Sequence, residues 1–198
     1  MAKIGWGRIL AGVATVAAAG AAYVYFKQRT AKAPAYELVL ADGPFEIRRY
    51  PALSVLATDQ SGSRDRALGT GFGRLAAYMF GEGREGDELP ITMPVLAEPL
   101  AEGAWRIRFL LPEEASGDTI EPPGENIAIA VVPAREVAVM MVPGKPTDRL
   151  LKSRTGELQR WLKDQGRVAA GLAEHAYYTS PLKPGAQRAN EVWLPLAG

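Results

Sequence analysis

Apolar and polar side chains alternate in several short stretches of the chain, and this period of two predicts β-strands. The alternation is clear in residues 105–111, where large apolar side chains fall on one face and two arginines on the other. Residues 91–96 and 105–111 are expected to pair as a hairpin around residues 101–103. Pro51 predicts a bulge or a sheet edge, because proline cannot donate to a ladder. The predicted strands are residues 45–57, 91–96, 105–111, 127–132, 136–142, 175–179 and 191–196.

Two other stretches show the spacing of three and four residues that places side chains on one face of a helix. The first is predicted to end at Gly81, and its apolar positions are Leu68, Gly71, Phe72, Leu75, Ala76 and Met79. The second is predicted to begin after Thr147, whose hydroxyl can cap the first turn, and to end at about Gln165, before Gly166. Its buried positions are predicted to be Leu151, Leu158, Trp161 and Leu162.

The order strand, helix, strand, strand occurs twice, on either side of a proline- and acid-rich loop at residues 112–125. The motif Pro51-Ala52-x-x-Val55 is echoed by Pro133-Ala134-x-x-Val137. Two such units predict an α+β domain in which one curved, mostly antiparallel sheet carries both helices. The glycines at residues 69, 71 and 73 do not fit a dinucleotide loop, because their spacing is G-x-G-x-G. Packing against the sheet is the expected use of these glycines.

Residues 9–26 contain no charged side chain, and as a helix they would reach roughly 27 Å, which is close to the thickness of a bilayer core. This favours a single-pass membrane anchor within residues 1–35, where residues 27–35 form a polar linker to a domain at 36–198. A cleavable signal with an A-x-A site at residues 19–21 is the alternative, and it would make the domain secreted or periplasmic. A buried core helix is disfavoured, because the segment has no polar stripe. Basic residues flank both ends, so the side of the membrane is left open.

Charge and composition exclude several classes of protein. The formal net charge is +1, but residues 1–33 hold five basic side chains and no acid, so the remainder carries 18 basic against 22 acidic groups. An acidic domain is a poor nucleic-acid binder, because phosphate binding needs a cationic face. The absence of cysteine removes disulfides and thiolate chemistry, and a single histidine removes any site that needs two imidazoles.

No set of nucleophile and base is assembled in the sequence, and we predict that the protein is not an enzyme. Glu113, Glu114 and Asp118 lie in the loop between the two halves without a fixed partner, and we interpret them as solvated loop residues. Ser153 and Ser180 lack the G-x-S-x-G setting of a hydrolase nucleophile.

Several motifs, in the correct order, resemble those of the SOUL haem-binding family. The opening signature corresponds to YE at 36–37 and DGPFEIRRYP at 42–51, and the first helix carries FGRLAAYMFG at 72–81. TMPV follows at 92–95, and the closing signature corresponds to Tyr178-x-x-Pro181 and RANEV at 188–192. The resemblance covers about residues 36–196.

The resemblance implies a distorted barrel-like sheet of two βαββ halves flanked by two helices. It also implies that haem b or a related tetrapyrrole binds, mainly by apolar contact, in an exposed cleft beside a helix. Iron ligands differ between members of the family. The family motif K-I-x-M-T-x-P-V corresponds here to ELPITMPV at residues 88–95, where the basic residue and the first methionine have changed and Met93 is new.

The predicted tetrapyrrole-binding residues lie in the first helix, just after it, and in a late strand. Leu75, Tyr78 and Met79 of the helix, together with Met93, are candidates for lining the cleft, the two methionines as soft contacts or thioether ligands. Arg74 is a candidate partner for a propionate, as are Arg48, Arg49 and Arg84, although ordinary solvated arginines are the alternative. His175 is the candidate iron ligand, and a half-exposed structural histidine near a strand start is its alternative.

These observations predict a non-catalytic tetrapyrrole-binding or carrier protein that is held at a membrane by residues 9–26 and does not bind nucleic acid. Two alternatives remain open. One is a GyrI-like module that binds or senses small molecules or lipids without haem. The other is an enzyme that acts on a tetrapyrrole or a lipid. The sequence identifies no protein partner.

Overall fold

The computed structural model describes residues 33–82, 87–101, 103–112, 115, 120, 124–179 and 189–197. Within this part of the chain, nine antiparallel strands form one curved sheet, a half-barrel, that carries two helices. The strands are β1 (Glu37–Asp42), β2 (Phe45–Tyr50), β3 (Leu53–Ser61), β4 (Val95–Ala101), β5 (Ala104–Leu110), β6 (Ala128–Val132), β7 (Arg135–Met141), β8 (Glu174–Tyr177) and β9 (Asn190–Pro195). The helices are α1 (Arg64–Met79) and α2 (Asp148–Asp164).

The strand order β1-β2-β7-β9-β8-β4-β5-β3-β6 confirms the predicted duplication and extends it. After the additional strand β1, each half is strand, strand, helix, strand, strand, and the halves meet where β8 pairs with β4. The leading strand is β2 in the first half and β6 in the second. The two leading strands are exchanged, because β2 pairs with β7 of the second half and β6 pairs with β3 of the first. Pro51 and Pro133 hold equivalent places in the two halves, each joining the leading strand to the next.

The helices cover one face of the sheet. Helix α1 packs on β3 and β5, and α2 packs on β7 and β9. Gly71 of α1 permits this contact, because a Cβ at this position would lie 2.6 Å from Cγ1 of Ile107. The predicted packing role is therefore confirmed for Gly71. It is wrong for Gly69 and Gly73, where a Cβ would meet nothing within 4 Å.

The predicted second helix is confirmed at both ends. The Thr147 side-chain oxygen accepts a hydrogen bond from the Leu150 backbone N–H at 3.3 Å, which satisfies one of the free donors of the first turn. Gly166 follows the helix with φ +67°, a left-handed conformation that glycine adopts without strain. All four predicted core residues of this helix are buried.

The opposite face of the sheet is the interior of the half-barrel. Its apolar core contains Tyr50, Val55 and Trp193, and Glu191 lies beside it with 7 % exposure. The Glu191 carboxylate accepts two hydrogen bonds from Arg48 at 3.1 Å, one from the Tyr178 hydroxyl at 2.7 Å and one from Trp193 Nε1 at 2.7 Å. A buried carboxylate is tolerated only when its oxygens are satisfied in this way.

The structure corrects three strand predictions. Residues 45–57 form parts of two strands, β2 and β3, that are separated at Pro51. The strand expected at residues 91–96 begins only at Val95, after a cis peptide bond between Met93 and Pro94. Strand β1 was not predicted, because its sequence, ELVLAD, does not alternate apolar and polar side chains, and in the structure all six residues are exposed. The hairpin of β4 and β5 is confirmed, with Gly103 at φ +70° in its turn.

Several predictions fall on residues outside the described part of the chain. These are the membrane segment at residues 9–26, the loop acids Glu113, Glu114 and Asp118, and Arg84, Ser180, Pro181 and Arg188. Among the residues described, no helix has both the length and the apolar character needed to cross a bilayer.

Candidate functional site

A cleft of about 340 Å³ lies beside the first half of α1, where the two halves of the sheet meet. One wall is the face of α1 that carries Arg64, Asp65, Leu68, Gly69 and Phe72, which are three or four residues apart. The rest of the lining comes from the start of β4, the end of β8, the start of β9 and the loop before α2. These residues are Met93, Val95, Lys145, Pro146, Tyr177, Thr179 and Asn190.

The base of the cleft is apolar and closely packed. Met93 is 4 % exposed and Val95 3 % exposed, so both belong to the core under α1. Phe72 is half-buried, and its ring packs edge-on against Phe109 with the centroids 5.1 Å apart. Leu68, one helical turn earlier, is also half-buried. An apolar ligand would therefore meet a surface that is already formed.

Gly69 leaves part of the α1 wall without a side chain. The residue is exposed, and a Cβ at this position would have no neighbour within 4 Å. Glycine inside a helix costs about 0.5–1 kcal/mol relative to alanine. Neither packing nor backbone conformation requires glycine here, so its effect on the molecule is to expose the helix surface to the cleft.

Arg64 forms hydrogen bonds to three other segments at the cleft. Its Nε donates to Asp148 Oδ1 at 2.7 Å, its Nη1 donates to the Tyr177 hydroxyl at 2.7 Å, and its Nη2 donates to the Pro146 carbonyl at 2.6 Å. Burial alone would lower the pKa of Arg64, but the Tyr177 and Asp148 oxygens outweigh it and raise the pKa. The guanidinium thus joins the beginnings of both helices to β8, while Lys145 is the exposed cation at the rim.

The structure brings one of the predicted binding residues into the cleft, which is Met93. Leu75, Tyr78 and Met79 lie one to three turns farther along α1, are at most 3 % exposed, and belong to the core between α1 and the sheet. Arg74 is exposed, and its Nη1 lies 3.4 Å from Thr58 Oγ1, away from the cleft lining. Binding roles for these four residues stay predictions, and the geometry places them outside the cleft.

His175 lies in β8, two residues before Tyr177 and on the same face of the sheet, but it does not line the cleft. Its ring packs against Trp105 with the centroids 5.8 Å apart, and its Nδ1 is buried without a hydrogen-bond partner among the described residues. Burial, together with the positive charge of Arg64, lowers the pKa of His175 to about 4. The imidazole is therefore neutral at pH 7, which is the form that binds iron.

The sequence matches the family model described as SOUL heme-binding protein over residues 31–195. The chain belongs to the SOUL family. The motifs noted in the sequence thus identify the family correctly. The match covers β1 to β9 and the two helices α1 and α2.

Two curated relatives of this SOUL protein carry the name Heme-binding protein 2. The protein of Mus musculus is 28 % identical over 162 residues, which cover 77 % of this chain and 78 % of the relative. The protein of Homo sapiens is 29 % identical over 163 residues, with the same shares of the two chains.

Solved structures with a similar fold are more distant in sequence. The crystal structure of the EcmrR C-terminal domain superposes with a TM-score of 0.59 at 14 % identity, covering 82 % of this chain and 98 % of that domain. A hydrolase from Listeria innocua superposes with a TM-score of 0.56 at 11 % identity, covering 80 % and 94 %. At this identity the similarity shows the fold of the SOUL domain and nothing of its activity.

The binding residues predicted in α1 lie farther along the helix than the residues that line the cleft. Leu68 and Phe72 belong to the predicted apolar stripe, yet they are only partly covered and face the cleft, whereas Leu75 and Met79 are fully buried. Arg64, Lys145 and Tyr177 were not predicted at all, since they come from separate parts of the chain. A possible signal was the combination of Gly69 with two flanking apolar residues near a helix start.

Proposed function

We propose that this SOUL protein binds haem b or a related tetrapyrrole in the cleft beside α1, and that it acts as a non-catalytic binding or carrier protein. The observation that carries the proposal is an apolar cleft whose helical wall is bare at Gly69. Family membership and the name Heme-binding protein 2 of two relatives support it.

The residues of the cleft fit the chemistry of a tetrapyrrole. Leu68 and Phe72 offer apolar contact to the face of a flat macrocycle, and Met93 adds a polarisable thioether at the base. The absence of a side chain at Gly69 leaves room for a planar ring against the helix. At the rim, the exposed ammonium of Lys145 is available to a propionate carboxylate.

Haemin titrated into the full-length protein should give a shifted, saturable Soret band. Gly69→Leu would fill the cleft from an exposed helix position and should weaken haemin binding at least tenfold. The substitution should not destabilise α1, because leucine is a better helix former than glycine by almost 1 kcal/mol. Gly73→Leu is the matched control, since Gly73 lies one turn farther along α1, is equally unobstructed and does not line the cleft.

The spectrum of free haemin at every ratio would reject the proposal, and so would equal affinity of Gly69→Leu and wild type. Stabilisation by apolar drugs or lipids but not by haemin, in a thermal-shift screen, would favour the GyrI-like alternative. Product formation from a tetrapyrrole without added cofactor would favour an enzyme.

The iron ligand is tested separately. Ligation by His175 requires haem to reach beyond the cleft lining, to a ring that packs on Trp105. Absorption and resonance Raman spectra of the haemin complex should therefore be compared between wild type and His175→Ala. A changed spin state or iron–ligand band would support ligation, and identical spectra would refute it.

We also propose that residues 9–26 anchor the domain in a membrane as a single span. Support comes from 18 uncharged residues flanked by basic side chains, followed by a polar linker. The chain should stay in the membrane pellet during alkaline carbonate extraction and should keep its own N-terminus in sequencing. A mature N-terminus just after residue 21 would instead establish a cleaved signal.

A further inference from the structure

A second cavity, of about 720 Å³, lies on the face of the sheet opposite the helices. It lies at one end of the half-barrel interior and shares no lining residue with the cleft beside α1. One part of its wall is apolar and comes from β3, β6 and the turn after β6. The apolar residues include Val55, Ala57, Ala130, Val132 and Pro133.

The polar part of the wall includes a charged network whose charges cancel. Glu174 is 2 % exposed, and its two carboxylate oxygens accept hydrogen bonds from Arg135 at 2.8 and 2.6 Å. Arg108 donates through Nη2 to Glu98. These four groups come from four different strands, β8, β7, β5 and β4, so the fold holds them in place.

One donor of this network is left over. Arg108 Nη1 is buried and has no hydrogen-bond acceptor among the described residues, and the Glu174 Oε1 atom lies 3.5 Å away. A buried N–H without an acceptor is uncommon, since it loses the free energy of hydration without replacing it. Arg108 lines the cavity, whereas its Nη1 atom is covered by neighbouring side chains. A turn of the guanidinium toward the cavity would present Nη1 to an acceptor on a bound molecule.

We propose that this cavity is a second binding site, for an uncharged and largely apolar molecule with a carbonyl-type acceptor oxygen. The apolar wall would hold the body of the molecule, and Arg108 Nη1 would donate to its oxygen. A carboxylate is disfavoured, because Glu98 and Glu174 would repel it at this position. A cation is disfavoured, because it would face a guanidinium donor.

The specificity can be tested with three water-soluble probes of equal size, which are acetophenone, benzoate and benzylammonium. Full-length protein in nanodiscs, with labelled methyl groups, would be titrated with each probe and followed by NMR. Acetophenone should shift the methyl signals of Val55 and Val132 in a saturable way and should bind at least five times more tightly than either ion. Equal or tighter binding of an ion, shifts confined to Leu68 and Met93, or no shift with any probe would overturn the proposal.

Two variants test the residues. Arg108→Met keeps the apolar stem but removes the donor, and it should weaken acetophenone binding about tenfold, whereas Arg106→Met at the rim should change it less than twofold. Ala130→Trp fills the cavity from β6 without touching the charges and should abolish binding. Haemin titration of Ala130→Trp should match that of wild type, so the two proposals can fail independently. Unchanged acetophenone affinity in Arg108→Met or Ala130→Trp would refute the site.

Discussion

Acidification should destabilise this protein in large part through His175. In the folded protein the pKa of His175 is lowered to about 4, first because the imidazole is buried and then because Arg64 is nearby, whereas the ordinary value is 6.5. Between these two pH values the unfolded chain binds a proton that the folded protein does not bind. The contribution to stability is therefore complete above about pH 6.5 and is lost as the pH falls toward 4.

The size of the effect follows from the difference in pKa. Each unit corresponds to about 1.4 kcal/mol, so the contribution lost at pH 5 is about 2 kcal/mol and the full contribution is about 3 kcal/mol. The contributions of Glu136 and Asp59 to the stability of the protein also fall on acidification, since hydrogen bonds from arginines lower the pKa of both carboxyl groups. The effect of His175 must therefore be measured as a difference between two proteins.

The assay is urea unfolding of wild type and His175→Gln at pH 7 and pH 5. The free energy of unfolding of wild type should fall by about 2 kcal/mol more than that of the variant, because glutamine does not titrate. His175 is the only histidine in the chain, so its ring proton can be followed directly by NMR and should titrate with a midpoint near pH 4. Parallel pH profiles, or a midpoint near 6.5, would refute the reasoning.

Three further predictions concern packing, a buried charge and the cleft. Gly71→Ala should lower the free energy of unfolding by about 1–3 kcal/mol, because its Cβ would lie 2.6 Å from Ile107, whereas Gly73→Ala should raise it by about 0.5–1 kcal/mol; urea denaturation measures both. Glu191→Ala should cost about 3–5 kcal/mol in the same assay, since it leaves a buried arginine without its main partner. Leu68→Lys should weaken haemin binding at least tenfold with little loss of stability, because Leu68 is only half-buried, and an unchanged Soret titration would contradict the cleft assignment.

The features that were predicted correctly from the sequence are mostly local ones. The cap at Thr147, the stop at Gly166 and the paired Pro51 and Pro133 motifs each depend on neighbouring residues, and the structure confirms all of them. The exchange of leading strands could not be predicted in this way. The pairing of β2 with β7 joins residues about 90 positions apart, and nothing in either strand specifies its partner.

The candidate cleft was harder to predict than the fold, because the apolar stripe of α1 covers two different surroundings. Leu75 and Met79 face the sheet, whereas Leu68 and Phe72 extend past its covered part and line the cleft. The helical period is the same in both parts, so the sequence alone does not show where core becomes cleft. The contact of Arg64 with Asp148 spans 84 positions and has no local signal either.

The duplication also shows that the cleft arises from side chains and not from the scaffold alone. The two halves supply equivalent helices, and α1 and α2 begin at Arg64 and Asp148, which contact each other. Leu68 and Phe72 of α1 line the cleft, whereas no residue of α2 is part of the lining. The ligand binding that we propose therefore uses only one of the two repeated helices.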